Sequence, residues 1–144
     1  MTTKTKTLFL SLIWSSLALV GRAEVADLEQ ARKVSDQIMS SIGAGDYKTA
    51  FDMAATHWPM PKEEVDAMRV KTDEQLGMAA KRFGELIGTE FVKTQKAGDS
   101  LVRYVYIQKF RKHATRWMIV FYRPAKNWII NVVVWDDQLH NLFD

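Results

Sequence analysis

Cysteine is absent from all 144 residues. That removes disulfides, thiol catalysis, cysteine-based metal sites and lipid attachment at a leader cysteine. A domain of ordinary size can do without disulfides even in an oxidising compartment. Proline is scarce, with three residues, two of which flank Met60 in the segment Trp58-Pro59-Met60-Pro61. Glycine is scarce too, with seven residues, and no glycine-rich loop leads into a helix in a phosphate-cradling pattern. Ser41 and Ser100 lie in no nucleophile-elbow motif. An excess of positive charge is also missing once the first 23 residues are set aside. Lys4, Lys6 and Arg22 are three of the 20 basic residues and no acid precedes Glu24, so the remainder balances at 17 against 17. A nucleic-acid binder needs a positive field to compete for phosphates, and residues 24–144 supply none.

Those first residues have the order of a secretory signal peptide: basic Lys4 and Lys6, the apolar run Leu8–Val20, then small Gly21 and Ala23 around Arg22. Thirteen residues rise about 20 Å as a helix, short of the roughly 30 Å hydrocarbon core of a bilayer. An uncleaved anchor is therefore the weaker reading. The expected domain organisation is a signal peptide over 1–23, cleaved near Ala23, and one globular domain over 24–144. The product is expected to be periplasmic or secreted, with no membrane span after cleavage. Five Trp, seven Phe and four Tyr argue against disorder.

The first half of the domain carries helical spacing. Val25, Leu28, Ala31, Val34, Ile38 and Ile42 form one stripe over Glu24–Ile42. Gly43-Ala44-Gly45 ends that helix, and Asp46 caps a second, with Tyr47, Ala50, Phe51 and Ala54 inside. The Trp-Pro-Met-Pro segment breaks the chain. A third helix then opens on Pro61 and acidic Glu63, Glu64 and Asp66, and carries the stripe Val65, Met68, Thr72, Leu76, Ala79 and Phe83.

From Glu90 onward, β-branched and aromatic residues dominate. Strands are predicted at about 89–97, 101–112, 115–123 and 127–136. They are separated by Gly98-Asp99, His113-Ala114 and Pro124–Asn127, connections so short that they imply an antiparallel meander. Leu139, Leu142 and Phe143 read as a short turn docking back on the body. The predicted class is thus α+β, three N-terminal helices packed on a curved four-stranded antiparallel sheet. Pairing through the turns puts Tyr104, Tyr106, Gln108, Phe110, Trp117, Ile119, Phe121, Trp128, Ile130, Val132 and Val134 on one face. The other face takes Arg103, Val105, Ile107, Lys109, Met118, Val120, Tyr122, Ile129, Asn131, Val133 and Trp135. Both faces are largely apolar and the helices can cover one, so the second is expected to be covered by another copy of the chain.

The helix–sheet order resembles one branch of the NTF2-like, or cystatin-like, fold. The residues carrying the likeness are Gly45-Asp46-Tyr47 with Ala50-Phe51, then Trp117-Met118-Ile119-Val120-Phe121-Tyr122-Arg123-Pro124, Trp128-Ile129-Ile130, Trp135-Asp136-Asp137 and Leu142-Phe143. The run is similar to the end of small exported bacterial members of that family whose function is unknown. The resemblance implies a cone-shaped cavity between helices and sheet and a tendency to dimerise. It does not choose a function, because the fold hosts both enzymes and binding modules.

Candidate pocket-lining residues are Tyr104, Tyr106, Gln108, Trp117 and Trp128. The tyrosines and tryptophans read first as ordinary core aromatics, the tyrosine hydroxyls at an edge, and only second as pocket walls. Candidate dimer-interface residues are Arg103, Val105, Ile107, Val120, Ile129, Asn131 and Val133, with Arg103 and Asn131 either fixing the register of the pair or staying wet. No catalytic residue stands out, since no carboxylate or histidine lies in the apolar cores of strands two to four. His57, His113 and His140 show no metal-ligand spacing, and no motif asks for a cofactor. The stretch Lys109–His113 reads as a solvated hairpin tip. Three functions remain open: a non-catalytic exported binding or assembly module, homodimeric, with a small apolar ligand between helices and sheet; a small isomerase, dehydratase or hydrolase; and an accessory subunit docking on an envelope protein. An enzyme would bury an acid–base group of strongly shifted pKa; self-association separates the other two.

Expressed in a bacterium from the full-length gene, the protein should be found outside the cytoplasm with an amino terminus near Glu24. Amino-terminal sequencing that returns Met1 or Thr2 from a soluble cytoplasmic pool would refute export.

Overall fold

A computed structural model describes residues 24–144; the leader expected over 1–23 lies outside the described residues. The elements run α1 (Leu28–Gly43), α2 (Tyr47–His57), α3 (Lys62–Phe83), β1 (Leu86–Ala97), β2 (Leu101–Phe110), β3 (Ala114–Tyr122), β4 (Ile129–Asp136) and a 3-10 turn (Leu139–Leu142). The strands form one antiparallel sheet in the order β1-β2-β3-β4. The expected α+β class and its element order are those observed. Among the described residues no helix is long and apolar enough to cross a membrane.

α1 begins at Leu28 rather than Glu24 because Asp27 caps it. The Asp27 carboxylate accepts from the Gln30 amide at 2.8 Å, while the Gln30 side chain accepts from the Ala26 amide at 3.0 Å. Val25 therefore leaves the helical stripe. It forms an isolated bridge with Trp128, whose amide donates to its carbonyl at 2.8 Å, and is buried. Gly45 is the left-handed residue after α1, with φ +75°. Gly43 serves close approach instead: a Cβ there would lie 3.1 Å from the Thr89 amide nitrogen. That approach lets the Thr89 hydroxyl donate to the Met39 carbonyl at 3.1 Å. Asp46 caps α2, accepting from the Thr49 amide at 3.0 Å, and Pro61 holds the cap position of α3.

α1 packs on β1 and β2, α2 on α1 and β4, and α3 on α2. The core between helices and sheet is filled by Ile38, Met39, Ile42, Phe51, Leu76, Trp117, Ile119, Phe121 and Ile130. β1 starts at Leu86, earlier than expected, paired with Phe110 across an irregular register that absorbs Ile87.

The register of β4 corrects the sequence-based face assignment. Val120 pairs with Val132, but the next pair is Phe121 with Ile130, so Asn131 is a bulge residue without a partner on β3. One extra residue reverses the alternation beyond it. Val133 then pairs with Ile119 and Trp135 with Trp117, on the helix side, where the two indoles stack with centroids 6.2 Å apart. Val132 and Val134, expected inside, face outward. Val133, expected at the outer interface, is 6% exposed and belongs to the core, whereas Val134 is 41% exposed.

Two neighbouring valines should accordingly respond in opposite ways to one substitution. Val133→Asp buries an unpaired carboxylate and should cost at least about 3 kcal/mol. Val134→Asp should cost the isolated protomer about 1 kcal/mol or less. Urea unfolding of both variants measures the difference.

Candidate functional site

Alternation along β2 directs Tyr104, Tyr106 and Gln108 to the helix side, and β3 adds Thr115 and Trp117 from across the register. The opening that a cone-shaped cavity would occupy at this level is filled by these side chains. Gln108 is fully buried and all four of its bonding directions are used. Its Nε2 donates to the Tyr47 hydroxyl at 2.8 Å and to the Ile42 carbonyl at 3.3 Å. Its Oε1 accepts from Trp117 Nε1 at 3.1 Å and from the Thr115 hydroxyl at 3.2 Å. Among the described residues no buried side-chain nitrogen or oxygen lacks a partner. Burial raises the Tyr47 phenol above its ordinary pKa, with the Gln108 bond opposing it.

Toward the start of β2 the tyrosines reach the rim. Tyr104 donates to the Leu28 carbonyl at 2.9 Å, and Tyr106 donates to Asp36 Oδ1 at 2.6 Å. The same carboxylate oxygen accepts from Arg32 Nε at 2.8 Å, and the Arg32 guanidinium lies 3.4 Å from the centre of the Phe91 ring. Burial pushes the Tyr106 phenol far above the usual tyrosine range, and the bond to the Asp36 carboxylate adds to the rise. Burial also raises Tyr104. The phenols are thus held as neutral donors at physiological pH. The Arg32–Asp36–Tyr106 group was missed at the sequence level. Arg32 and Asp36 stand one turn apart, which signals an ordinary helix-surface pair, and only the fold brings a strand tyrosine to it.

The outer face carries Arg103, Val105 and Ile107 from β2, Val120 from β3 and Ile129 from β4, with Asn131 exposed at the bulge. Arg103 and Asn131 stand on strands separated by β3 and do not form a pair. Arg103 Nε instead donates to Gln95 at 2.9 Å, and the Arg103 guanidinium reaches Met118 Sδ at 4.0 Å. The face is not wholly open. After β4 the chain turns back over β3, and Lys93 of β1 donates to the Leu142 carbonyl at 3.0 Å and to Asp144 O at 2.8 Å. The tail thereby crosses the outer face from β4 to β1. Val105, the register partner of Lys93, is 2% exposed although it points away from the helices. Arg116 anchors the tail's start through two bonds to Asp136, at 3.1 and 2.6 Å. Burial alone would raise the Asp136 pKa, but Arg116 and the Gln138 amide outweigh it and hold the carboxyl below its ordinary value. Beyond the tail, Leu101, Tyr122 and Val134 remain exposed.

Trp128 is placed apart from the other pocket candidates. It lies at the edge between two surface clefts. One, of about 600 Å³, is bounded by Asp27, Glu29, Lys96, Asp99 and Arg123. The other, of about 350 Å³, is bounded by His57, Pro59, Pro124, Ala125 and Ile129. The Arg123 guanidinium lies 5.1 Å from the Trp128 ring and donates to the Asp99 carbonyl at 2.9 Å. His113 packs on Phe83 with ring centres 4.3 Å apart, and His140 sits in the tail turn. Among the described residues there is no group of three or more His, Cys, Asp or Glu side chains that could hold a metal. The basic hairpin stretch is partly paired: Lys109 with Glu90 at 3.2 Å and Arg111 with Glu85 at 2.8 Å.

No protein-family model, curated protein or solved structure matches this chain.

The raised tyrosine pKa values fix the sign of an alkaline effect. The fold favours the neutral phenols, so their contribution is complete below the ordinary tyrosine pKa of 10.0 and is lost as pH rises through the higher folded values. Unfolding midpoints should be flat from pH 8 toward about 10 on this account and fall above it. Tyr106→Phe should lose about 1 kcal/mol at pH 8, through the missing bond to Asp36, and fall less steeply at alkaline pH. Chemical denaturation across a pH series reads both effects.

Proposed function

We propose that residues 24–144 form an exported, non-catalytic NTF2-like (cystatin-like) binding and assembly module that works as a homodimer through the outer face of its sheet. The observation that carries this reading is the unequal treatment of the two faces. On the helix side the polar atoms of Tyr104, Tyr106, Gln108, Thr115 and Trp117 are engaged with one another or with α1 and α2. Groups so engaged hold a core together and are not free to exchange protons with a substrate. On the other side, Ile107, Met118, Val120, Ile129, Val132 and Val134 keep part of their apolar surface, and the tail covers only the strip it crosses.

Four strands about 4.8 Å apart and some eight residues long present roughly 500 Å² in projection. Side-chain relief and the tail add to that area. The sum is of the order of the about 800 Å² that each partner contributes to a standard interface. A twofold axis sets the same face against itself and leaves no apolar surface open. The balanced charge of the domain opposes no such pairing. The cleft of about 350 Å³ beside Trp128, walled by Pro59, Pro124 and Ala125, is where a small apolar ligand would fit a module of this kind.

Sedimentation across a concentration series tests the reading. The protein should be dimeric at tens of micromolar. Val120→Lys or Val134→Lys should yield monomer or aggregate, and Lys126→Ala in the β3–β4 connection should change nothing. A soluble monomer indifferent to both lysines would overturn the homodimer.

A further inference from the structure

The tail ends in a residue that the fold does not use. Phe143 is 91% exposed, more than any other large apolar side chain described. Yet the carbonyl of Leu142 and an oxygen of Asp144 on either side of it are both pinned to Lys93, so its backbone is held on the outer face. Holding a phenylalanine in water costs free energy unless something takes it up. On the same face, toward the β1–β2 hairpin, lies a cleft of about 350 Å³ walled by Gln95, Ala97, Leu101, Arg103 and Val120. Register places Gln95, Ala97, Leu101, Arg103 and Val120 on the outer side of the sheet. The cleft floor is aliphatic, and Arg103 gives its wall a cation. Neither Arg103 nor the Asp144 side chain makes an ion pair among the described residues. An apolar ring followed by a carboxylate is the complement of an apolar cleft walled by an arginine.

We propose that in the dimer each chain inserts Phe143 into the cleft between Leu101, Arg103 and Val120 of its partner, with Asp144 facing the partner's Arg103. The inference rests on the sheet-face dimer proposed above and specifies what locks it. A twofold axis repeats the contact, so one exchange of tails yields two identical anchors. A single aromatic seated in a dry pocket and ringed by lesser contacts is the usual form of an interface hot spot. The exchange also accounts for the Lys93 clamp, which pre-orders the tail and reduces the entropy lost when it docks.

The chain has no cysteine, which permits a clean cross-linking test in the full-length protein. Leu101→Cys and Phe143→Cys are both surface substitutions and should fold. Mixed and oxidised, the two variants should give a disulfide-linked heterodimer. Phe143→Ala should weaken dimerisation about tenfold or more by sedimentation, and Asp144→Lys should weaken it further through repulsion from Arg103. If the mixture gives no disulfide and Phe143→Ala dimerises normally while Val134→Lys still dissociates the pair, the tail exchange is overturned and the sheet-face dimer stands. If a Leu101→Cys/Phe143→Cys double variant closes only within one chain, the tail folds onto its own sheet and the exchange is likewise overturned. If the unsubstituted protein is monomeric throughout, both inferences fail.

Discussion

The amide of Gln108 joins four segments that would otherwise meet only through apolar contact. It sits on β2, accepts from Thr115 and Trp117 of β3, and donates to the last turn of α1 and to the first residue of α2. A buried amide carries four hydrogen-bonding directions, and leaving any of them empty costs far more than an ordinary contact gains. The bond set therefore specifies one mutual placement of sheet and helices where shape alone would accept several. Trp117 is held through its Nε1 and stacks on Trp135. Tyr47 is held inward at the start of α2, which fixes where the Gly43–Gly45 turn must deliver the chain. A space between helices and sheet that could have been a cavity is closed by the same group.

A second constraint acts across the sheet. The bulge at Asn131 spends one residue without a β3 partner and turns Val133 and Trp135 toward the helices. Without it, Trp135 would stand in water and Trp117 would lack its neighbour. The same step sends Val132 and Val134 outward, so the bulge that completes the core also gives the outer face its apolar character on β4.

The outer face is thus a product of the core. It is apolar enough to need cover and only partly covered by the chain's own tail. Lys93 and the Arg116–Asp136 pair fasten that tail at its two ends. Arg116 and Asp136 are both substantially shielded from solvent, which makes their two-bond contact a better anchor than the exposed helix pairs Lys48–Asp52 and Lys62–Asp66. The tail leaves Phe143 outside, and it is there that surface chemistry and assembly meet.

The sequence by itself determined the class and element order, because helical stripes, the Asp46 cap, the Trp-Pro-Met-Pro break and the strand-spaced turns are local signals read over a few residues. It also separated the inner residues of β2 and β3, where alternation runs unbroken from Val102 to Phe121 apart from the hairpin. Four things were decided only by tertiary structure. Val25, left outside α1 by the Asp27 cap, found its backbone partner in Trp128, about a hundred residues away. Val133 changed faces because a bulge is a property of the pairing of two strands, and no residue of β4 announces it in isolation. Arg32, Asp36 and Tyr106 became one cluster, and Phe143 an unburied ring on a fastened tail, because long-range contacts were settled by packing and by the satisfaction of buried polar groups. Those are sums over the whole molecule, and a window of sequence contains only its own terms.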